Sequence, residues 1–291
     1  MRRTVILLAL VAISFSVSSQ PYVRNAMRPT AYMGLTVGGG LTSLLYSSAA
    51  DSRTFGAGID LSVHYTQFFS AVGLGFSLHY TTANSYANYN GTEETEGLTH
   101  AYNPNAHYRL ITRYNDWKER QNIAGLCIPI EIFYRASMGQ GRYLICGLGA
   151  QFEFPVRGKY CPAGGDYTTS GVFPAVGVYE VGDAPEHGFS TYSETYNARI
   201  DGLKKGVGVL ADIGMRLMLG NSGGLYIGLY GSYGLSNIIG DHKSAPLVTI
   251  NSSEDSYIIY NGTFAGDDIS AVNLLRVGVK VGVDVGAATD R

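Results

Sequence analysis

The stretch Thr54-Phe55-Gly56-Ala57-Gly58-Ile59-Asp60-Leu61-Ser62-Val63-His64-Tyr65-Thr66 decides how this chain reads. Its odd positions are Phe, Ala, Ile, Leu, Val and Tyr; its even positions are Thr, Gly, Gly, Asp, Ser, His and Thr. Successive side chains of a β-strand point to opposite faces, so this strict alternation predicts a strand with one greasy and one polar face. Phe55 and Tyr65 bracket the apolar face. At about 3.3 Å per residue and a tilt of roughly 40°, the chain between them spans about 25 Å, the height of the lipid-facing band between two aromatic girdles.

The same pattern recurs outward from this stretch. Ala71–Thr81 sets Val72, Leu74, Phe76, Leu78 and Tyr80 against Gly73, Gly75, Ser77, His79 and Thr81. Asn273–Gly286 sets Leu275, Val277, Val279, Val281, Val283 and Val285 against Leu274, Arg276, Gly278, Lys280, Gly282 and Asp284. Weaker copies run near 31–46, 122–135, 142–154, 207–219 and 224–236, which makes eight segments. Their length exceeds the five or six residues usual in soluble sheets and matches a tilted transmembrane strand. Tyr80, Tyr134, Phe152 and Tyr233 stand at comparable strand ends. A soluble sandwich would also alternate; length, aromatic placement and a secretory leader favour the membrane.

The connections alternate short and long. Those near 67–70, 136–141 and 220–223 are short, whereas 82–120, 155–205 and 237–270 are long and polar. In an up-and-down barrel all long connections then fall at one end, which in outer-membrane barrels is the external one, with both chain termini periplasmic. The expectation is an all-β, eight-stranded antiparallel up-and-down transmembrane barrel. Residues 171–181, and the pair 248–250 with 257–260, also have strand-like composition. They extend hairpins above the membrane or supply a ninth and tenth wall strand, so ten strands is the alternative.

Composition fits this picture. Only 15% of the 291 residues are charged and 45% are apolar, with 38 glycines and 22 tyrosines, which argues against disorder. The formal net charge of −2 and the lack of a basic tract give no support to nucleic-acid binding. Met1-Arg2-Arg3-Thr4, the apolar run from Val5, and Val17-Ser18-Ser19 read as a signal peptide over residues 1–19, cut between Ser19 and Gln20. Residues 20–291 then form a single barrel domain. After residue 20 no apolar run approaches the length of a spanning helix. Cys127, Cys146 and Cys161 have no metal spacing and leave room for one disulfide.

The pattern resembles the small outer-membrane β-barrel family of the OmpA-membrane-domain and OmpX-like type, and more narrowly the porin-like "outer membrane protein beta-barrel" domain that includes PorT-type proteins. The resemblance rests on the signal peptide and Tyr32–Tyr46 with its Gly38-Gly39-Gly40. It rests further on Leu126-Cys127-Ile128-Pro129-Ile130-Glu131-Ile132-Phe133-Tyr134-Arg135 and the Gly-rich Tyr143–Glu153. It covers roughly residues 20–286 and implies an integral outer-membrane protein of Gram-negative type, commonly without enzymatic activity. Such barrels usually finish on an aromatic residue, whereas this chain ends Val285-Gly286-Ala287-Ala288-Thr289-Asp290-Arg291.

The polar parity carries the chemistry. Asp60, His64, His79, Glu131, Arg135, Glu153, Asp212, Arg216, Arg276, Lys280 and Asp284 all fall on it. An eight-stranded barrel is just wide enough to be filled by its own side chains, where an unpaired charge is costly. The near-balance of carboxylates and cations therefore predicts ion pairs that plug the lumen, with partners from neighbouring strands. A narrow diffusion channel formed by rearranging these pairs is the alternative. Pro129, inside a strand, predicts a bulge.

No motif demands a cofactor or metal. Asp241, Glu254, Asp255, Asp267 and Asp268 make one loop acidic without forming a twelve-residue calcium loop. Tyr86, Tyr89, Tyr102, Tyr108 and Tyr114 either offer a contact surface or pack the loop on itself. His100, His107, His187 and His242 lie in loops with no spacing that ties them into a triad, and Gly-x-Ser-x-Gly is absent, so a rim hydrolase is disfavoured. The partners expected are outer-membrane lipid and a surface ligand or secretion-complex protein, met through loops 82–120, 155–205 and 237–270.

Overall fold

The computed structural model describes residues 30–46, 50, 52–100, 103–177, 180–193, 198–219, 222–240, 244–251, 257–266, 269 and 271–288. The signal peptide, with Ser19 and Gln20, lies outside them. Eight long strands form the wall: β1 (Thr30–Leu45), β2 (Ser52–Phe69), β3 (Val72–His100), β4 (Asn103–Gly139), β5 (Arg142–Val172), β6 (Gly206–Leu219), β7 (Gly223–Gly234) and β8 (Asn273–Ala288). Each pairs antiparallel with its sequence neighbours, and β8 pairs with β1, so the sheet closes on itself. The closing seam runs from Thr30 opposite Ala288 to Leu45 opposite Asn273 without a register shift. The non-aromatic end of β8 therefore leaves its pairing intact.

Closure removes every edge from the wall, and the two faces then meet different solvents. Ile59, Leu61, Val277 and Val279 are exposed on the outside, whereas Asp60 and Arg276 are buried within. Val72, Leu74, Phe76, Leu78 and Tyr80 project outward together. An ordinary soluble domain would bury this parity; here it wraps the barrel as a continuous apolar belt. Among the described residues no helix is long and apolar enough to cross a membrane.

At one end the strands join in tight turns. Ser70 closes β2–β3 with φ 71°, and Gln140 and Gly141, at 52° and 71°, close β4–β5 in the left-handed region that tight hairpins require. At the other end the sequence reading falls short. Much of 82–120 is strand, not loop: β3 and β4 stay paired up to His100 opposite Asn103, and β4 and β5 up to Arg109 opposite Val172. Glu180–Val181, Thr191–Tyr192 and Ala198–Arg199 each pair with β5 beyond the wall. Val248–Asn251 and Tyr257–Tyr260 pair only with each other. The ring thus has eight strands, and the additional strand-like segments decorate its upper end.

Pro129 corrects a second expectation. The β3–β4 register is the same on both sides of it, from Phe76 opposite Ile130 to His79 opposite Cys127, and Pro129 pairs regularly with Gln151 of β5. The missing N–H interrupts the ladder locally without an inserted residue, so no bulge forms. All three cysteines are free thiols.

Candidate functional site: a charged lumen beneath a packed cap

The alternation places the polar parity of all eight strands around one narrow axis. Arg216 on β6 forms a buried ion pair with Asp284 on β8. Lys280 Nζ on β8 lies 2.8 Å from Asp212 Oδ2 on β6. Arg276 on β8 reaches Glu153 Oε1 on β5 at 3.2 Å, while its Nε donates to the Ser232 hydroxyl at 3.0 Å. His79 Nδ1 on β3 sits 2.7 Å from Asp60 Oδ1 on β2. Partners on neighbouring strands were expected, yet only His79–Asp60 joins adjacent strands. The other three reach across one or two intervening strands, because the lumen is narrow and the strand between carries glycine. A Cβ on Gly224 of β7 would collide with both the Asp284 carboxylate and the Arg216 guanidinium.

The remaining expected residues join the same interior. Arg135 stacks its guanidinium 4.5 Å from the Phe68 ring centroid, and donates to the Ser70 carbonyl at 2.9 Å and the Tyr32 hydroxyl at 3.2 Å. Arg216 lies over the Tyr32 ring at 3.1 Å. His64 and Glu131 line a cavity of about 70 Å³ with Asp212, Arg216, Lys280 and Asp284. Glu131 Oε2 is buried and makes no hydrogen bond among the described residues. A second cavity of about 20 Å³ lies by Asp60, Cys127 and Arg276.

One alignment inside the lumen imitates a nucleophile relay. Ser77 Oγ lies 2.8 Å from His79 Nε2, whose Nδ1 meets Asp60. The three side chains come together because Ser77 and His79 share a strand face and Asp60 is close in register on β2. Of the histidines outside the lumen, His107, on β4 rather than in a loop, lies 3.4 Å from the Thr99 hydroxyl, and His187 lies beside Glu186 at 3.7 Å. His242 and the acidic residues Asp241, Glu254, Asp255, Asp267 and Asp268 lie outside the described residues, as do Tyr102 and the side chain of His100.

Above the lumen the inner face of the extended wall is covered by the long connections. Leu44, Tyr46, Ala83, Ile123 and Leu274 of the wall and its rim pack against Ile200, Ile238, Ile239, Phe264 and Val272. Higher up, Ala87, Tyr89, Tyr114, Trp117 and Tyr167 pack against Leu247, Val248 and Tyr260. Tyr108 and Leu110 meet Phe189 and Ile250. The loop tyrosines Tyr89, Tyr108 and Tyr114 are therefore packed within the molecule. Trp117 stands edge-on to Tyr167 at 4.9 Å and 87°, an arrangement worth about 0.5–1.5 kcal/mol beyond its area.

This cap is fastened by a carboxylate that sequence reasoning missed. Glu119 is completely buried. It accepts hydrogen bonds from the Tyr260 hydroxyl at 2.8 Å, the Thr263 N–H at 2.9 Å and the Gln121 amide at 2.8 Å. Tyr260 in turn accepts from Trp117 Nε1 at 3.0 Å, and Tyr89 donates to the Thr263 hydroxyl at 2.8 Å. Burial pushes the Glu119 carboxyl above its ordinary range, and the hydrogen bonds from Gln121, Thr263 and Tyr260 draw it partly back. The signal was present: Trp117, Glu119, Gln121, Ile123, Cys127 and Glu131 all share one parity. It was hidden because the opposite parity turns polar above residue 126.

A closed eight-stranded ring with an apolar exterior and a charged interior defines the class: an integral outer-membrane β-barrel of the small type. Solved structures similar to the chain are of the same kind. Neisserial surface protein A is 9% identical with a TM-score of 0.33, covering 87% of this chain and 96% of that one. OprG of Pseudomonas aeruginosa is 10% identical with a TM-score of 0.34, covering 90% and 97%. A major outer membrane protein of Thermus thermophilus is 11% identical with a TM-score of 0.33, covering 87% and 99%. These likenesses are loose, and the class stands on the ring and its two faces. No protein-family model and no curated protein matches the chain.

Proposed function

We propose that this protein is a non-conducting outer-membrane barrel with a structural or surface-binding role, or one serving a secretion or assembly complex, its termini periplasmic and its long connections outside. The observation that carries this reading is the double closure of the bore. Arg216–Asp284, Lys280–Asp212 and Arg276–Glu153 occupy the lumen beside β5 to β8, Arg276 reaches Cys127 Sγ on the opposite strand β4 at 3.5 Å, and an apolar cap lies over the mouth above them. Charges so paired in a low-dielectric interior are costly to separate, since breaking one buried pair costs about 3–5 kcal/mol. The lumen cavity of about 70 Å³ is room for a few waters, not a solute path.

An enzymatic role is not part of this proposal. The Ser77–His79–Asp60 alignment has the spacing of a relay, but it lies inside the packed lumen, beside a cavity too small for an acyl or peptide substrate. Its reading is mutual satisfaction of buried polar groups. Planar-bilayer recording of purified protein tests the proposal: a silent membrane is expected, and sustained nanosiemens-scale openings would establish the diffusion channel instead. Labelling of Ser77 by a fluorophosphonate would restore the hydrolase.

A further inference from the structure

Seen from outside, the barrel is not symmetric at its cap end. On β4 the lipid-facing run Ile132, Ile130, Ile128 and Leu126 gives way to Arg120 and Lys118, both exposed. On β5 it ends at Val156, followed by exposed Arg157 and half-buried Lys159. On β6 it ends at Val207, preceded by exposed Lys205, whose ammonium lies 5.6 Å from the Phe154 ring centroid.

Register places these residues side by side. Ala124 pairs with Arg157, Asn122 with Lys159 and Arg120 with Cys161, while Lys159 pairs on its other side with Arg199. Trp117, Glu119, Gln121 and Ile123 are buried within, which turns Lys118 and Arg120 outward. The β4–β5 register shifts between Ala124 and Gly125, just where the face changes from apolar to basic. None of Lys118, Arg120, Arg157, Lys159, Arg199 and Lys205 forms an ion pair with a described residue. The neighbouring carboxylates Glu119 and Glu153 are buried on the inner face, and Asp116 and Asp166 accept hydrogen bonds from Asn90 and Asn115. Six of the chain's 21 lysines and arginines thus gather on one sector. Next round the ring from β6, the strands β7 and β8 carry the paired Tyr233 and Leu275 at the rim.

We infer that this sector is a binding site for the phosphorylated headgroup of a glycolipid of the outer leaflet. The chemistry is matched in height as well as charge. The acyl chains would lie on Leu126, Phe152, Val156 and Val207, and the phosphates at the level of the first cations above them. Arginine forks and lysine ammonium groups offer charge-assisted hydrogen bonds to phosphate oxygens, and a cation held over Phe154 sits where headgroup meets hydrocarbon. The inference rests on the outward orientation of the cap proposed above.

The test compares purified barrel in neutral detergent with bis-phosphorylated lipid A and with its dephosphorylated form, by native mass spectrometry. Retention of the phosphorylated lipid at least tenfold above the other is expected, because each cation near a charged lipid surface contributes about 1 kcal/mol. The variant Arg120→Ser/Arg157→Ser/Lys159→Ser, with its heat-dependent gel shift retained, should lose that preference. For the unaltered protein, raising the ionic strength should lower the preference, which reads the charge without any variant. Equal retention of both lipids, an unchanged preference in the variant or insensitivity to salt would overturn the inference. Full competition by equimolar inorganic phosphate would also overturn it, making the sector a site for free phosphate. An epitope inserted after Gly182, whose surroundings are open, reports orientation separately on intact cells. Detection only after permeabilisation would remove the orientation reading, whatever the lipid result.

Discussion

The Tyr260 hydroxyl donates to Glu119 Oε2 at 2.8 Å across 141 residues of sequence, tying the connection between β7 and β8 to the inner face of β4. This contact joins the two halves of the molecule: a wall whose pattern is local, and a cap whose seat is tertiary. Tyr260→Phe keeps the ring contacts with Trp117 at 5.6 Å but removes the hydrogen bond to the buried Glu119 carboxylate and the acceptor of the Trp117 Nε1–H. A loss of about 1.5–3 kcal/mol in cap stability is expected. It should appear as faster proteolysis within 244–266 while the barrel keeps its heat-dependent gel shift.

The same carboxylate makes the cap sensitive to pH. Burial holds the folded-state pKa of Glu119 above that of the unfolded chain. The stability linked to its proton is therefore fully present below the unfolded value, near 4.3, and is lost as pH rises through the folded one. The groups facing it are Tyr260, Tyr89, Tyr46 and Gln121, with Arg53 beyond, 5.0 Å from the Tyr46 ring centroid. Hydrogen exchange of residues 257–266 should accelerate with rising pH beyond the intrinsic chemical rate, and Glu119→Gln should abolish that excess. An excess that survives in the variant would assign the effect to another group.

Gly224 should be intolerant of any side chain. Its Cβ would enter the space of the Arg216–Asp284 pair, so Gly224→Ala must displace a buried ion pair or move the strand. A loss of about 1–3 kcal/mol is expected from urea unfolding in lipid vesicles. Arg216→Ala, which strands Asp284, should cost more, about 3–5 kcal/mol. A neutral Gly224→Ala would show that the pair has room to move.

The lipid-facing belt predicts a graded penalty. Val279, exposed and paired with Gly39 and Leu229, stands near the middle of the belt. Val279→Arg should cost about 2–4 kcal/mol of folding free energy into vesicles, whereas Phe55→Arg at the rim should cost about 0–1. Equal penalties at the two positions would contradict a membrane-embedded exterior.

How much of this was legible in the sequence follows from where water lies. From Phe55 to Tyr65, or Leu275 to Val285, one face meets hydrocarbon and the other the lumen, so the residues alternate sharply and strand, face and span can be read directly. Beyond Leu126 on β4 and Tyr80 on β3 the outer face is wet. Polar residues such as Asn84, Tyr86, Asn88 and Arg120 then occupy it, the contrast fades, and 82–120 reads as loop although the strands continue. The inward parity persisted in Ala83, Ser85, Ala87 and Tyr89, but without a greasy partner face it was no longer a signal.

The sequence by itself determined the eight wall strands, which face of each meets lipid and which charges enter the bore, because those depend on a residue's parity alone. Only the tertiary structure decided that Arg216 takes Asp284 over Gly224, that Ser77, His79 and Asp60 align, and that Glu119 fastens the cap. Those choices depend on distances between segments that only ring closure brings together.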